Sequence, residues 1–364
     1  MGTVRDSNQL VAAVLRDLAA AQESRQSMWG YKRAAAAVLE LDEPIESYVQ
    51  KDGTLRKIPN VGPKSEPIIL EVLKAGTSAT VERAVSKRGM KGEISARGEW
   101  RENFLSRAQV LAALADTRLK GPTLTDYNGD LQMHSVWSDG SQTFESIAEA
   151  GLARGYTFSG VTDHSYGLKI ANGVSMADLK KQHREIDAVN RAYDGRFRII
   201  KGIEANILAD GTVDMTPREL QQVELVVAAP HSVLRKSEDQ TARMLTAVRT
   251  KGVHIIGHPR GRKWGSRPGI SANWDDVFDA AAHAEVAVEI DGDPSRQDID
   301  FELAKRAVTA GCLFALDSDA HATEELVNAE TAIAHARLAG VPTERVINCW
   351  STDKLLDWLA DRQL

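Results

Sequence analysis

From residue 130 onward, short apolar runs alternate with helical stretches seven times, and few folds accommodate that rhythm. The runs are 130–134, 158–164, 197–204, 225–231, 253–258, 286–291 and 313–321. Between them lie helix candidates at 143–155, 176–193, 239–251, 274–283 and 300–310. Strands that alternate with helices at this spacing build a parallel sheet, and seven such units predict an α/β barrel. In a barrel of this kind the carboxyl ends of all strands meet on one face, where function collects.

The runs end on chemistry. His134 closes the first, with Asp139 just beyond; His164 closes the second, Glu204 the third, His231 the fourth and His258 the fifth. Asp319 and His321 close the seventh. A lone histidine at a strand end is ordinarily a satisfied polar residue. Repetition at five strand ends calls for a common cause. Neutral imidazoles and ionised carboxylates are ligands for Zn²⁺, Mn²⁺ or Fe²⁺, and eight exceed what one ion can use. Two or three divalent ions are therefore expected, with Glu204 able to bridge. Such a cluster clamps the attacking and leaving oxygens of a phosphoester. Asp163 is read as orienting a ligand. Asp317, two residues before Asp319 and on the same strand face, is a candidate acid or base. His183, His254, His283 and His335 are read as structural.

The first third differs. Residues 1–120 carry 19 Lys and Arg against 15 Asp and Glu, whereas the whole chain carries 45 against 51. A basic module thus precedes an acidic one, which suits a polyanion-binding part beside a metal-binding part. All nine histidines fall after residue 133. Helices are predicted at 8–25, 31–40 and 43–50, then a tight turn at Pro59–Gly62 leading into a helix that ends at Gly76. The expected domains are a small all-α unit at 1–85, a linker at 86–127 with one helix over 101–115, a barrel at 128–350 and a C-terminal helix at 351–364. No apolar run reaches the roughly 18 residues of a membrane span. The first residues lack a signal peptide's pattern, so a cytoplasmic location is expected. The two cysteines, Cys312 and Cys349, exclude a disulfide framework.

Several of these segments resemble one family in order. Asp130–Ser135, Ser138–Gly140, Thr162–Ser165, Gly202–Glu204, Pro230–Ser232, Gly257–Pro259 and Ser318–His321 look like successive motifs of the polymerase and histidinol phosphatase (PHP) superfamily. The resemblance implies a distorted (β/α)7 TIM-like barrel holding up to three ions. Carried over by motif, one ion takes His134, Glu204 and Asp319 with Gln132 nearby. A second takes Glu204, His231 and His258, and a third Asp139, His164 and His321. Gln132 stands where many members have histidine. An amide oxygen is a weaker ligand, which favours Mn²⁺ at that position. Gln132 and the surrounding DLQMHSVWSDG resemble the PHP domains fused to bacterial family X DNA polymerases.

The N-terminal module is similar to the same proteins, and Ile58–Lys64 resembles a helix-hairpin-helix. Such a hairpin aims backbone N–H groups at a DNA phosphate without reading bases. Asn60, Gly62 and Lys64 are the expected DNA contacts. Asn60 replaces a usual glycine, and asparagine tolerates positive φ. The stretch of about 45 residues before the barrel is too short for a polymerase palm. Ile68 stands where lyase-active relatives have a Schiff-base lysine.

The expected function is a metal-dependent DNA phosphoesterase, a 3′–5′ exonuclease or 3′-end repair nuclease. A small-molecule phosphatase of histidinol-phosphate type is the first alternative, and a non-catalytic DNA-binding subunit the second. Arg260 and Arg262 are expected to neutralise developing charge beside Asp317. Lys169, Arg235, Lys236, Arg260, Arg262, Lys263 and Arg267 are expected to hold substrate phosphates, with Trp264 offering a stacking face. DNA is the expected partner, and a separate repair polymerase or ligase is compatible with a hairpin module lacking its polymerase.

Overall fold

The computed structural model describes residues 6–362. It divides into two compact units: the described residues up to Ala115 together with Trp264–Arg267, and the remainder from Asp116.

The N-terminal unit is helical: α1 (Ser7–Ala20), α2 (Arg25–Leu39), a 3₁₀ turn at Ile45–Tyr48, α3 (Glu66–Ala75), α4 (Ala79–Lys87), α5 (Lys91–Glu99) and α6 (Arg107–Ala115). Its core joins Val11, Leu15 and Leu18 of α1 to Ala34, Ala35 and Val38 of α2, Ile69 and Val72 of α3, and Val81 and Val85 of α4. Gly76 ends α3 in the left-handed conformation, at φ 72°. The α2 helix begins six residues before the expected start because the Ser24 hydroxyl accepts from the Ser27 N–H. The stretch from 86 to 115 is not a linker with a single helix. It finishes α4 and adds α5 and α6, and Arg101, expected inside a helix, lies in a turn. Arg101 pairs with Asp17 at 2.6 Å and Phe104 enters the core, which draws this segment into the helical unit.

The second unit alternates strand and helix as expected. Its elements are β1 (Gly129–Met133), α7 (Phe144–Ala153), β2 (Phe158–Val161), α8 (Met176–Tyr193), β3 (Arg198–Asn206), α9 (Pro217–Leu220), β4 (Leu225–Ala229) and α10 (Thr241–Val248). They continue with β5 (Ile255–Ile256), α11 (Trp274–His283), β6 (Ala287–Asp291), α12 (Phe301–Ala310), β7 (Leu313–Asp317), α13 (Ala329–Ala339) and α14 (Thr352–Arg362). The seven strands lie in sequence order and pair in parallel. Met133 bridges Ala320 in parallel, and the His134 N–H donates to the Ala320 carbonyl at 2.9 Å, so β1 meets the chain just beyond β7 and the barrel is nearly closed. Leu131, Phe158, Leu225, Val227, Ile255 and Ala315 fill the interior, and Leu355 and Leu359 of α14 pack against them. The strand interior is thus an apolar core, and polar side chains are left to the carboxyl ends. Among the described residues no helix is long and apolar enough to cross a membrane.

Candidate metal centre

The side chains at the carboxyl ends of the strands meet in one bowl. Glu204, on β3, is fully buried among four histidines. Its Oε1 lies 3.0 Å from His258 Nε2 and 3.2 Å from His231 Nε2. Its Oε2 lies 2.9 Å from His164 Nδ1 and 3.5 Å from His134 Nε2. His134 Nε2 also meets Asp319 Oδ1 at 3.1 Å. Asp139 Oδ1 faces His321 Nε2 at 3.5 Å and His164 Nε2 at 3.6 Å.

Three sets have ligand atoms all within 4.8 Å of one another: His134, Glu204 and Asp319; His164, Glu204 and His231; and His134, Asp139, His164 and His321. The first is the set that the family motifs imply. The other two differ from that partition, because His164 joins Glu204 and His231, and His134 reaches into the set around Asp139. The His134 ring packs against those of His164 and His321, with centroids 4.4 and 4.3 Å away, and it faces two sets because its Nε2 meets Glu204 and Asp319 while its Nδ1 lies 3.9 Å from Asp139 Oδ1.

These residues fit divalent cations on the evidence of their own unsatisfied atoms. Gln132 Oε1, His134 Nδ1, both ring nitrogens of His231, His258 Nδ1 and Glu204 Oε2 are sealed from solvent without a hydrogen bond. Buried polar atoms in folded proteins are almost always paired, so a cluster of orphans marks a place where something else coordinates them. Charge agrees. Burial would raise the Glu204 pKa, but His164 and His231 hold it well below the usual range. Burial acts likewise on Asp319, and Arg296 with His134 overrides it. His321 is pushed up to about 9: burial opposes the shift, and Asp139 with Asp319 drives it. Cations between these groups would take over the work the imidazoles do here.

The surrounding residues hold the bowl in shape. Asp163 accepts from the Ser135 N–H at 2.7 Å, from the Ser135 and Ser138 hydroxyls and from Gln182, and so ties down the loop between His134 and Asp139. Gly140 belongs to that loop, where a Cβ would sit 2.3 Å from the His134 carbonyl oxygen. Asp319 itself has φ 53°, a conformation aspartate tolerates better than most residues.

Several expected residues have other employment. Asp317 is fully buried, and its Oδ1 accepts from the Leu131 N–H and from Asn348, each at 2.8 Å. Asp130 answers from the other strand, accepting from the Ser318 N–H at 3.0 Å. The pair fastens β1 to β7, so Asp317 sits in a seam rather than over the ligand sets. Arg262 is 3% exposed. It pairs with Asp300 at 3.0 Å and donates to the carbonyls of Arg296 and Gln297, which binds the loop after β6 instead of offering a guanidinium to substrate. Arg260 shares Asp300, at 3.1 Å, but keeps about a quarter of its side chain exposed. Lys169, Arg235, Lys236 and Lys263 are exposed on loops that follow strands. Trp264 is buried in the core of the helical unit with Arg16 and Arg101 against its ring, so it has no open stacking face there, and Arg267 belongs to the same unit.

Arg296 was missed by the sequence reading. Its Nε lies 3.3 Å from Asp319 Oδ2, 3.5 Å from Asp293 Oδ2 and 3.7 Å from Asp291 Oδ2. It stands in a polar loop, Gly292–Asp298, where nothing in the local pattern marks it out. Glu289 and Asp291 were also missed as buried acids. Their signal was available: two carboxylates at strand spacing inside an otherwise apolar run face one way. Glu289 accepts from the His258 N–H and so positions that residue's backbone.

In the helical unit Asn60 has φ 64°, the conformation its residue type suggested. The turn lines a pocket of about 520 Å³ that also includes Tyr31, Arg33, Gly62 and Lys64. Asn60 and Lys64 are exposed.

Comparison with known proteins agrees with both units. A helix-hairpin-helix domain model matches residues 6–78. The chain is 38% identical over 229 residues to the DNA polymerase/3′–5′ exonuclease PolX of Bacillus subtilis, covering 63% of this chain and 40% of that protein. It therefore spans well under half the length of that relative. It is 32% identical over 253 residues to a probable phosphatase of Yersinia pestis, covering 65% of this chain and 95% of that one. The probable phosphatase YcdX of Shigella flexneri is 27% identical over 248 residues. A crystal structure of histidinol phosphate phosphatase from Lactococcus lactis aligns at a TM-score of 0.44 and 16% identity, over 57% of this chain and 92% of that one. With a nearly closed seven-stranded parallel barrel and this degree of identity over nearly the whole of a relative, the chain belongs to the PHP family of phosphoesterases and carries an N-terminal helix-hairpin-helix domain.

Proposed function

We propose that this protein is a metal-dependent DNA phosphoesterase that processes 3′ ends. The observation that carries the reading is the convergence of eight imidazole and carboxylate side chains on one bowl, with Glu204 set between two pairs of histidines. His134, Glu204 and Asp319, with the Gln132 amide oxygen, would hold one ion. His164, Glu204, His231 and His258 would hold a second, and Asp139, His321 and the neighbouring histidines a third. When bound, such ions supply Lewis acidity toward a phosphoryl oxygen and lower the pKa of water toward neutrality. Zn²⁺, Mn²⁺ and Fe²⁺ suit these ligands, and the oxygen donor of Gln132 favours Mn²⁺.

The chain's own residues do the positioning. Glu204 presents one oxygen to each side of the bowl, and its charge is balanced by the imidazoles around it. Asp163 keeps the loop between His134 and Asp139 from drifting. Arg260, Lys169, Arg235, Lys236 and Lys263, all partly or fully exposed, supply positive charge for a polyanion. In the helical unit, the turn at Asn60 and Gly62 and the start of α3 would meet a DNA phosphate, with Lys64 as counter-charge. The likeness to PolX supports DNA as the substrate, and a separate polymerase or ligase would suit a nuclease that prepares ends.

The match to a probable phosphatase over nearly its whole length favours one second reading, hydrolysis of small phosphomonoesters by the barrel. A digest of 5′-labelled DNA with 3′-hydroxyl or 3′-phosphate termini, run beside histidinol phosphate in Mn²⁺, Zn²⁺ or Mg²⁺, separates the two. Shortening of the DNA from its 3′ end supports the main reading. Turnover of histidinol phosphate with intact DNA replaces it by the second.

A further inference from the structure

The rim of the bowl is unevenly furnished. The loops after β1, β2 and β3, three neighbours in the barrel, each expose one aliphatic side chain: Val136 at 55%, Ile170 at 93% and Leu208 at 42%. The loop after β4 exposes Arg235 and Lys236 beside Glu238 and Asp239, whereas the loop after β5 exposes Lys263 and holds no acidic residue. Lys169, beside Ile170, is the one cation on the apolar side, and Asp210, two residues beyond Leu208, would repel phosphate there.

Ile170 stands on a rigid support. Its loop leaves the bowl at His164 and returns at Val174, whose N–H donates to the His164 carbonyl at 2.7 Å. Ser165 bridges Val174, and the Ser165 N–H donates to the Glu204 carbonyl at 2.9 Å. The Ala171 and Gly173 N–H groups both donate to the Leu168 carbonyl, at 3.1 and 3.2 Å. Asn172 turns the chain at φ 55°. A Cβ at Gly173 would lie 1.9 Å from the Ser165 carbonyl oxygen, so the loop is closed about as tightly as a backbone allows. Both ends of the loop are therefore fastened to residues of the candidate centre, and its tip is an almost fully exposed isoleucine.

A rigidly presented aliphatic side chain beside a phosphoester site has a natural occupant, the apolar face of a nucleobase. We infer that Ile170 is the platform on which the base of the 3′-terminal nucleotide rests, while the phosphates of the preceding nucleotides run toward the cationic loop after β5. This rests on the DNA reading above and adds to it the orientation of the strand and the residue that senses the terminal base. Every nucleobase has a hydrophobic face, so the contact is tolerant of sequence.

The test compares wild type, Ile170→Ala and Ile170→Leu as full chains in Mn²⁺. Two 5′-labelled single-stranded oligonucleotides are used, one ending in an ordinary 3′ nucleotide and one in an abasic 3′ residue. Removing the first nucleotide of the ordinary end should slow about tenfold in Ile170→Ala, the scale expected for exposing an aliphatic side chain of this size. Ile170→Leu should restore the rate. On the abasic end wild type and Ile170→Ala should be equal. Equal rates on the ordinary end, or the same loss on both ends, overturn the inference and leave the DNA reading standing. Wild type that cuts neither oligonucleotide overturns the DNA reading itself.

Discussion

His164 Nδ1 lies 2.9 Å from Glu204 Oε2, yet neither atom makes a hydrogen bond of acceptable geometry within the protein. Two donor atoms held face to face and unsatisfied are arranged for a shared cation. Glu204→Gln keeps the shape of the side chain and removes its charge. It should lower the metal content of purified protein by at least one ion per chain and phosphoester hydrolysis by about a hundredfold or more, the upper end of what even an outer ligand partner is worth. Elemental analysis beside a rate measurement checks this, and undiminished metal would remove Glu204 from the centre.

Among the described residues, Arg296 is the one guanidinium set among Asp291, Asp293 and Asp319. Removing one partner of a largely buried ion pair costs about 3–5 kcal/mol, because the remaining charges are stranded. Arg296→Ala should therefore lower the melting temperature of metal-free protein clearly. Added Mn²⁺ should recover more of that loss than it adds to wild type, because a cation on Asp319 replaces the missing charge. Thermal unfolding with EDTA and with Mn²⁺ measures both. An unchanged melting temperature in EDTA would mean that the guanidinium balances nothing.

His254 and His335 are fully buried away from the bowl, and each is fixed as a neutral ring. Nδ1 of His254 accepts from the Val226 N–H, and Nδ1 of His335 accepts from the Phe301 N–H. Their Nε2 atoms face the Leu359 carbonyl and Gln297 Oε1. Burial lowers their pKa values to about 4 and about 3. In the unfolded chain both titrate near 6.5. Between these values the unfolded state binds more protons, so their contribution is complete above about pH 6.5 and declines as the pH falls. Each can contribute up to about 1.4 kcal/mol per pH unit. Urea midpoints for metal-free protein should drop between pH 7 and pH 5, and His335→Gln should show a shallower slope. Equal slopes would contradict the assignment.

The hairpin contact should show itself through salt. Lys64→Ala should weaken binding to DNA of any sequence by a similar factor and reduce the slope of log affinity against log salt by about 1. Asn60→Ala places a Cβ-bearing residue without a helpful side chain at φ 64° and should cost about 1 kcal/mol of stability, whereas Asn60→Gly should not. Fluorescence anisotropy at several salt concentrations and chemical denaturation report the two effects. An unchanged salt slope would place the DNA elsewhere.

Much of the architecture could be read from neighbouring residues alone. The seven strands and the helices at 176–193 and 274–283 come from apolar periodicity, the stop at Gly76 from a left-handed cap, and the positive φ of Asn60 from its residue type. The members of the bowl were visible for the same reason. A strand's carboxyl end is a local feature, and histidine or carboxylate there stands out against an apolar run. Strand closure is what decided which of those side chains share a set. Pairing His164 with Glu204 and His231, or packing His134 against both His164 and His321, depends on distances across the barrel that no local pattern encodes. Long charged side chains were the least legible. Arg262 was consumed by Asp300, Arg296 was drawn to Asp319, and Trp264 joined the core of the helical unit. The reach and flexibility of such groups let any of several partners satisfy them, so only the folded chain selects one.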